Sequence, residues 1–239
     1  MTTSRKRLAR RRADSLQRPA VDLSNRVSSA VMSQGPRPTC LPCALAAAHE
    51  AEYQTGGFHA AVEPVWWDLH SAGRAGPDGA LLSDAADSVA RVGHCLATLW
   101  PYNETLGFLT EDPPSAAGAP PWNLASLNIF EPAHDGVEDE VEDALAAGHP
   151  LIAIIEVTAA FMQPLPPEGF VPVPPIRTAS GGYHAVLIVG AWTDPVHGRV
   201  LLVRNSWGEY WGAGGYCLLP VDYLQNYCVQ LAILESVHV

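Results

Sequence analysis

Cysteine is scarce and odd in number: the 239 residues hold five, at positions 40, 43, 95, 217 and 228. That count excludes a small secreted scaffold stapled by paired disulfides. Charge is also sparse, at 16% of residues against 48% hydrophobic, which excludes a disordered or low-complexity chain. No apolar run approaches the ~20 residues that span a bilayer. The basic N-terminus is followed by residues 13–18, not by the ~7–15 apolar residues of a secretory signal, so a cytoplasmic location is expected. The nine histidines contain neither HExxH nor paired Cys/His spacing, so no metal and no cofactor are expected.

What charge there is divides unevenly. Arg5, Lys6, Arg7, Arg10, Arg11, Arg12 and Arg18 face one acid, Asp14, in the first 18 residues, giving +6 there and −17 over the remaining 221. Residues 1–18 therefore read as a basic flexible tail, with weak contact of residues 5–18 to an acidic surface expected and no nucleic-acid partner. The rest, 19–239, forms one large domain with two textures. Residues 40–53 are rich in Ala and Leu and read as a buried helix. A second helix is expected from Ser83 as N-cap to about Val92, stopped by Gly93. The Pro-rich residues 112–121 read as a surface loop. The acidic residues 138–143 read as the start of a helix that runs to Ala147, where the helix dipole favours carboxylates.

Beyond Pro150 short β-branched and aliphatic runs appear at 151–157, 184–192, 199–204, 216–219 and 228–234, separated by Gly, Pro and Asp. A helical first part (about 34–130) and a strand-rich second part (about 131–239) imply an α+β protein of two lobes, with a substrate cleft between them.

Three separated polar residues carry a possible chemistry. Cys40 opens the Ala-rich helix, where unpaired N–H groups and the helix dipole favour a thiolate. His184 follows Gly181-Gly182-Tyr183 at the head of the apolar strand Ala185-Val186-Leu187-Ile188. Asn205 stands in Arg204-Asn205-Ser206-Trp207-Gly208, where an amide oxygen can orient an imidazole and a tryptophan can shield the bond from water. Asn205-Ser206-Trp207-Gly208, then Trp211-Gly212 and Gly214-Gly215-Tyr216, resembles the Asn block of the papain-like cysteine peptidases. Gln34, six residues before Cys40, is similar to the glutamine of that family's oxyanion site. Residues 92–102, 144–150 and 219–223 are similar to further blocks in the family's order, in its bacterial-type form. Spacing selects Cys40 over Cys43 as the nucleophile. From Cys40 the family's offsets fall on Gln34 and Glu50; from Cys43 they fall on Arg37 and Tyr53. Arg37 stands where many members carry a disulfide cysteine, so the resemblance implies that this bridge is absent.

The resemblance implies a papain-like two-lobed fold, with a helical N-terminal lobe, an antiparallel β-barrel-like C-terminal lobe and the active site in the cleft. It implies a cysteine peptidase acting on a peptide or protein substrate through a thioester, with Cys40, His184, Asn205 and Gln34 as catalytic residues. Gly79 is similar to a residue that holds substrate backbone. Ala185, with Leu81 or Leu82, would wall the P2 pocket, and Trp207 and Trp211 would line the substrate site. Only 33 residues precede Gln34, so no long inhibitory pro-segment is expected. Two other activities fit parts of the pattern. The thioester can be resolved by an amine, as in a ligase or peptide-maturation enzyme. Cys40-Leu41-Pro42-Cys43 also has the look of a thiol–disulfide redox pair, and one helical turn between the thiols leads us to expect a reversible disulfide brake.

Overall fold

The computed structural model describes residues 18–53, 57–132, 136–176 and 181–238. A two-residue strand, β1 (Val21–Asp22), pairs antiparallel with Ala191 and Gly190 and ties the N-terminal segment to the main sheet. Helix α1 (Cys40–Glu52) is the Ala-rich run. Its Leu41, Ala44, Leu45 and Ala48 are all buried in the interface between the lobes. Helix α2 (Glu63–Ser71) follows. The strands β2 (Ala75–Gly76) and β3 (Gly79–Ala80) then form a small hairpin before α3 (Leu82–Arg91).

The second part is built on one antiparallel sheet. Its strands are β4 (Leu124–Phe130), β5 (Leu151–Glu156), β6 (Tyr183–Asp194), β7 (Gly198–Arg204), β8 (Tyr216–Pro220) and β9 (Cys228–His238). Helices α4 (Val137–Ala147), α5 (Ala159–Met162) and α6 (Val221–Tyr227) pack beside it. The strand order is β4-β9-β5-β6-β7-β8, with β1 added on β6. Among the described residues β4 and β8 are the edges of this path, so the barrel-like lobe is an open sheet.

Strand β6 explains the continuous apolar run of the sequence. Val186 and Ile188 face the core under α4 and α6, while Ala185, Leu187 and Val189 face α1. A strand covered on both faces loses the alternation of polar and apolar residues. The lobes thus share β6 as a wall, which places the first residues of α1 beside the first residues of β6.

Three local differences from the sequence expectations have physical causes. Helix α3 begins at Leu82 with Leu81 in the N-cap position, so Ser83 lies inside the first turn. Helix α2 was not expected, because Glu63-Pro64-Val65-Trp66-Trp67 has little intrinsic helix preference. Burial of Val65, Trp66 and Leu69 fixes it instead. Strand β4 was placed with the helical lobe, yet it is the edge strand of the main sheet beside β9. Gly93 does stop α3, for a packing reason as well as its φ of 69°: a Cβ there would lie 2.0 Å from the Asn123 carbonyl oxygen.

The basic tail lies outside the described residues except for Arg18, whose guanidinium bonds Asp143 at 2.6 Å and Asp139 at 2.9 Å on α4. The acids of α4 are partly used in the same way, with Glu142 accepting from Arg199 at 2.5 Å. No helix among the described residues is long and apolar enough to cross a membrane.

Candidate active site

The site is assembled from the N-terminus of α1, the start of β6 and the residues after β7. His184 lies opposite Ile155 on β5, which fixes its height on the sheet. Its Nε2 is 2.6 Å from Asn205 Oδ1. That oxygen also accepts the main-chain N–H of Ser206 at 2.8 Å, so the amide presents oxygen, and His184 Nε2 is the donor. The other ring nitrogen, Nδ1, then keeps its lone pair for a proton. Asn205 is itself anchored by its N–H to the Gly215 carbonyl at 3.0 Å.

Cys40 meets this group through the next residue on β6, Ala185, whose main-chain N–H acts on the thiol in favour of the thiolate. The N–H groups of Leu41 and of Cys40 itself act on the sulfur in the same direction, favouring the thiolate as expected at a helix start. Burial is the larger influence and opposes them, raising the thiol. Burial also lowers His184 to about 4, opposed by its bond to Asn205. Burial thus holds each group towards its neutral form, against hydrogen bonds that favour the charged one.

Gln34 is buried, and its amide is held at both ends. Its Oε1 accepts from Ser206 Oγ at 2.6 Å and its Nε2 donates to the Arg37 carbonyl at 2.7 Å. One N–H of the amide is left to donate to a developing oxyanion. A main-chain bond from Gln34 N–H to the Ser206 carbonyl, 2.8 Å, joins the same two segments. Glu50 does not face this site: it accepts from the Ser29 N–H at 2.7 Å and from Ser28 Oγ at 3.2 Å, fastening the N-terminal segment to α1.

Trp207 covers the imidazole, with ring centroids 4.5 Å apart and 34° between planes. Trp211 stands edge-on to Trp207 at 5.5 Å, and Phe161 of α5 contacts both, at 5.5 and 5.1 Å. Both tryptophans are therefore walls of an aromatic cage over His184, and both stay half-buried, with part of each ring open to solvent. Phe161 was not foreseen; a lone aromatic in a four-residue helix gives no periodic signal.

The open cleft beside the site is lined by Gly79, Leu81, Leu82, Ile154, Tyr183 and Gln230, with Glu131 and the Arg74–Asp84 pair at its rim. Gly79 lies in this cleft, and its φ of 97° requires glycine. Leu81 is 68% exposed while Leu82 is buried. Ala185 is not a cleft wall: its side chain is buried in the interlobe core, and only its N–H reaches the site. Ile154, which pairs with Ala185 in the sheet, takes that place. Cys43 is a free, buried thiol 3.6 Å from Met32 Sδ, packed with Ala46, Phe58, Ala60 and Val62, and burial raises it. Cys40 packs instead with the interlobe core. The two thiols stay one turn apart on α1, close enough for the charge of Cys40 to act on Cys43.

A thiol at a helix start, an imidazole oriented by an amide, and a second buried amide bonded to the serine that follows the first define a nucleophilic site of the acyl-transfer type. The family described as papain family cysteine protease matches residues 68–232, and the chain belongs to it. The matched range includes His184 and Asn205, while Gln34 and Cys40 precede it. Among solved structures the chain is similar to xylellain, a cysteine protease from Xylella fastidiosa. The TM-score is 0.75 and the identity 23%, over 92% of this chain and 87% of that one. It is also similar to digestive procathepsin L 3 of Tenebrio molitor larval midgut, with TM-score 0.72 and 22% identity over 92% and 71%. At such identities the likeness shows the fold. A peptidase C1-like protein of Acanthamoeba polyphaga mimivirus, described as uncharacterized, is 31% identical over 107 residues, 42% of this chain and 33% of that protein. A cathepsin L-like protein of Caenorhabditis elegans is 58% identical over 45 residues, 19% of this chain and 13% of that one. The matched stretches thus span a third or less of these relatives.

Proposed function

We propose that this chain is a cysteine peptidase that hydrolyses peptide bonds of a peptide or protein substrate through a thioester on Cys40. The observation that carries the proposal is the 2.6 Å bond between His184 Nε2 and Asn205 Oδ1, with Cys40 packed in the same core cluster as Ala185, the residue after His184. Cys40 Sγ attacks the scissile carbonyl carbon while its proton passes to His184 Nδ1. The carbonyl oxygen gains charge and is met by the free N–H of Gln34 and the main-chain N–H of Cys40, donors of a kind worth ~2.7–4 kcal/mol each elsewhere. His184 then protonates the leaving amine, and the C–N bond breaks. Water, deprotonated by the same imidazole, cleaves the thioester and returns the proton to sulfur. Asn205 keeps the ring in the productive tautomer throughout, and Trp207 screens that bond.

The test is a peptide-library digest read by mass, comparing the wild type with Cys40→Ala, with and without added amines. Cleavage by the wild type alone, with water in the products, is expected. Products carrying the amine would convert the assignment to acyl transfer. A cytoplasmic, reducing setting is part of the proposal, supported by the five free cysteines.

A further inference from the structure

The loop that links Gln34 to Cys40 contains a buried cation that the chemistry above does not use. Arg37 is 1% exposed and every one of its five N–H donors has an acceptor. Nε donates to the Gly107 carbonyl at 3.1 Å. Nη1 donates to the Asn103 carbonyl at 3.0 Å and to Glu63 Oε1, and Nη2 to Glu63 Oε2 at 3.1 Å and to the Leu109 carbonyl at 3.3 Å. Glu63 is fully buried at the head of α2 and also accepts the Asn103 N–H at 3.0 Å. The Tyr102 ring lies 4.6 Å from the guanidinium carbon. Its hydroxyl donates to the Gln34 carbonyl at 2.9 Å and meets Thr39 Oγ1 at 2.6 Å. No disulfide closes this loop, since Cys40 and Cys43 are free.

The main chain of Arg37 is what the Gln34 amide rests on, through the 2.7 Å bond from Nε2 to the Arg37 carbonyl. We propose that Arg37 is a positioning residue for the oxyanion site. Its guanidinium, clamped between α2 and the loop of residues 103–109, fixes the carbonyl that aims the remaining N–H of Gln34 at the reacting oxygen. Lysine cannot replace it. An ammonium offers three donors without a planar fork, so at least two of the five bonds would be lost in a dry site. The turn from Gln34 to Arg37 would then shift, and an error of about 1 Å in such a contact costs on the order of 10²-fold in rate. The inference rests on the peptidase proposal, because Gln34 acts only if acyl transfer occurs.

A double-mutant cycle on the full chain separates positioning from general stability. Using one fluorogenic peptide cleaved by the wild type, kcat and KM are measured for Arg37→Lys, Gln34→Ala and the double variant, each checked by thermal melting. Arg37→Lys should lower kcat by roughly tenfold, a part of the 10²–10³ typical of a lost oxyanion donor, with KM nearly unchanged. In the Gln34→Ala background the same change should have no further effect on kcat. Should Arg37→Lys fail to fold, the isosteric Glu63→Gln, which leaves one oxygen for the guanidinium, enters the same cycle with the same expectation. Effects that multiply overturn the positioning role, as does a failure of both variants to fold, which makes the pair structural only. A wild type that cleaves nothing while Cys40 and the fold are intact overturns the peptidase proposal itself.

Discussion

The Ser206 hydroxyl donates to Gln34 Oε1 at 2.6 Å, joining the two ends of the site across 172 residues of sequence. Gln34 belongs to the segment before α1, and Ser206 follows Asn205 directly. One short stretch after β7 therefore orients both the imidazole and the oxyanion amide. Removing the hydroxyl in Ser206→Ala leaves the Gln34 side-chain amide held only from the Arg37 side, its main-chain bond to the Ser206 carbonyl being kept. The expected result is a drop in kcat of roughly tenfold, smaller than the ~10²–10³ expected for Gln34→Ala. The Asn205–His184 bond should survive, so the pH dependence of kcat/KM should keep its shape. Steady-state kinetics on one peptide across pH checks both statements.

The pH profile itself follows from burial. A productive Cys40–His184 pair holds one proton between the two groups. As pH falls through the His184 value of about 4, the imidazole takes a second proton and the thiol keeps its own, so the base is lost. As pH rises past the Cys40 value, raised above the ordinary 9.0, the pair loses its last proton and the leaving amine has no acid. The expected profile of kcat/KM is a broad plateau with no step near the ordinary histidine value of 6.5. A single acid limb between pH 6 and 7 would show that His184 is solvated in the free enzyme.

Much of this site was legible in the sequence because its members sit at element starts marked by local signals. Cys40 heads an Ala-rich helix, His184 follows two glycines into an apolar strand, and Asn205 opens a Gly- and Trp-rich turn. What the sequence hid depends on packing between distant segments. Tyr183 and Ile154 become cleft walls only once β5 and β6 pair, and Phe161 reaches the cage only through the placement of α5. Ala185 shares its sheet face with Ile154, its cross-strand partner, and is buried because its small side chain stops short of the cleft that Ile154 reaches. The α2 helix was hidden because buried Trp66 and Leu69, not propensity, hold it in place.

Thiol chemistry should distinguish the two cysteines of the first helical turn. An epoxide that alkylates activated thiols should add once, to Cys40, and abolish turnover, while Cys43→Ala keeps substantial activity. Because Cys43 is packed against Met32 and its thiol is raised by burial, it should give Cys40 no protection from oxidation. After mild peroxide and then dithiothreitol, wild type and Cys43→Ala should recover to the same extent. Better recovery of the wild type, with a loss of two hydrogens in the intact mass, would restore the disulfide brake.

A second buried pair makes the fold sensitive to acid. His49 on α1 and His94 are fully buried with their Nδ1 atoms 2.9 Å apart, so one donates and the other accepts. The rings of Tyr53 and Phe58 pack on His49, Asn123 bonds the His94 main chain, and neither Nε2 has a partner. Burial lowers His49 to about 4 and His94 well below its ordinary 6.5, the charge of His49 adding to the latter. Both folded values lie below the unfolded one, so the unfolded chain binds protons first as pH falls. Stability is therefore full above about pH 7 and declines from there towards pH 4, by roughly 3 kcal/mol for His49 alone, an order-of-magnitude figure from 1.36 kcal/mol per unit. Melting temperatures of the Cys40→Ala variant between pH 8 and pH 4.5 should fall steadily. A His94→Gln variant should show a shallower decline, and equal slopes would remove the pair as the cause.

Specificity should follow the cleft as it is built rather than as the resemblance placed it. Leu81, Ile154 and Tyr183 present apolar surface next to His184, so a substrate side chain packed there should be apolar or aromatic. Burying one Leu-sized group contributes roughly 1.5–3 kcal/mol, enough for about one to two decades in kcat/KM against a small or polar residue. The Arg74 charge at the rim is occupied by Asp84 at 3.4 Å and Asp87 at 3.2 Å, so it offers little to an acidic substrate. Ile154→Asp should invert the preference at this subsite towards Lys or Arg, because a carboxylate in the wall would meet a cation where the wild type meets hydrocarbon. Changing Ala185 should not alter the preference at all, since its side chain lies in the interlobe core; any effect of Ala185→Gly should fall on kcat for all substrates alike. Library profiles of the wild type and both variants decide the matter. A wild-type preference for Asp or Glu at that subsite, or a selective shift on changing Ala185, would return the pocket to the other wall.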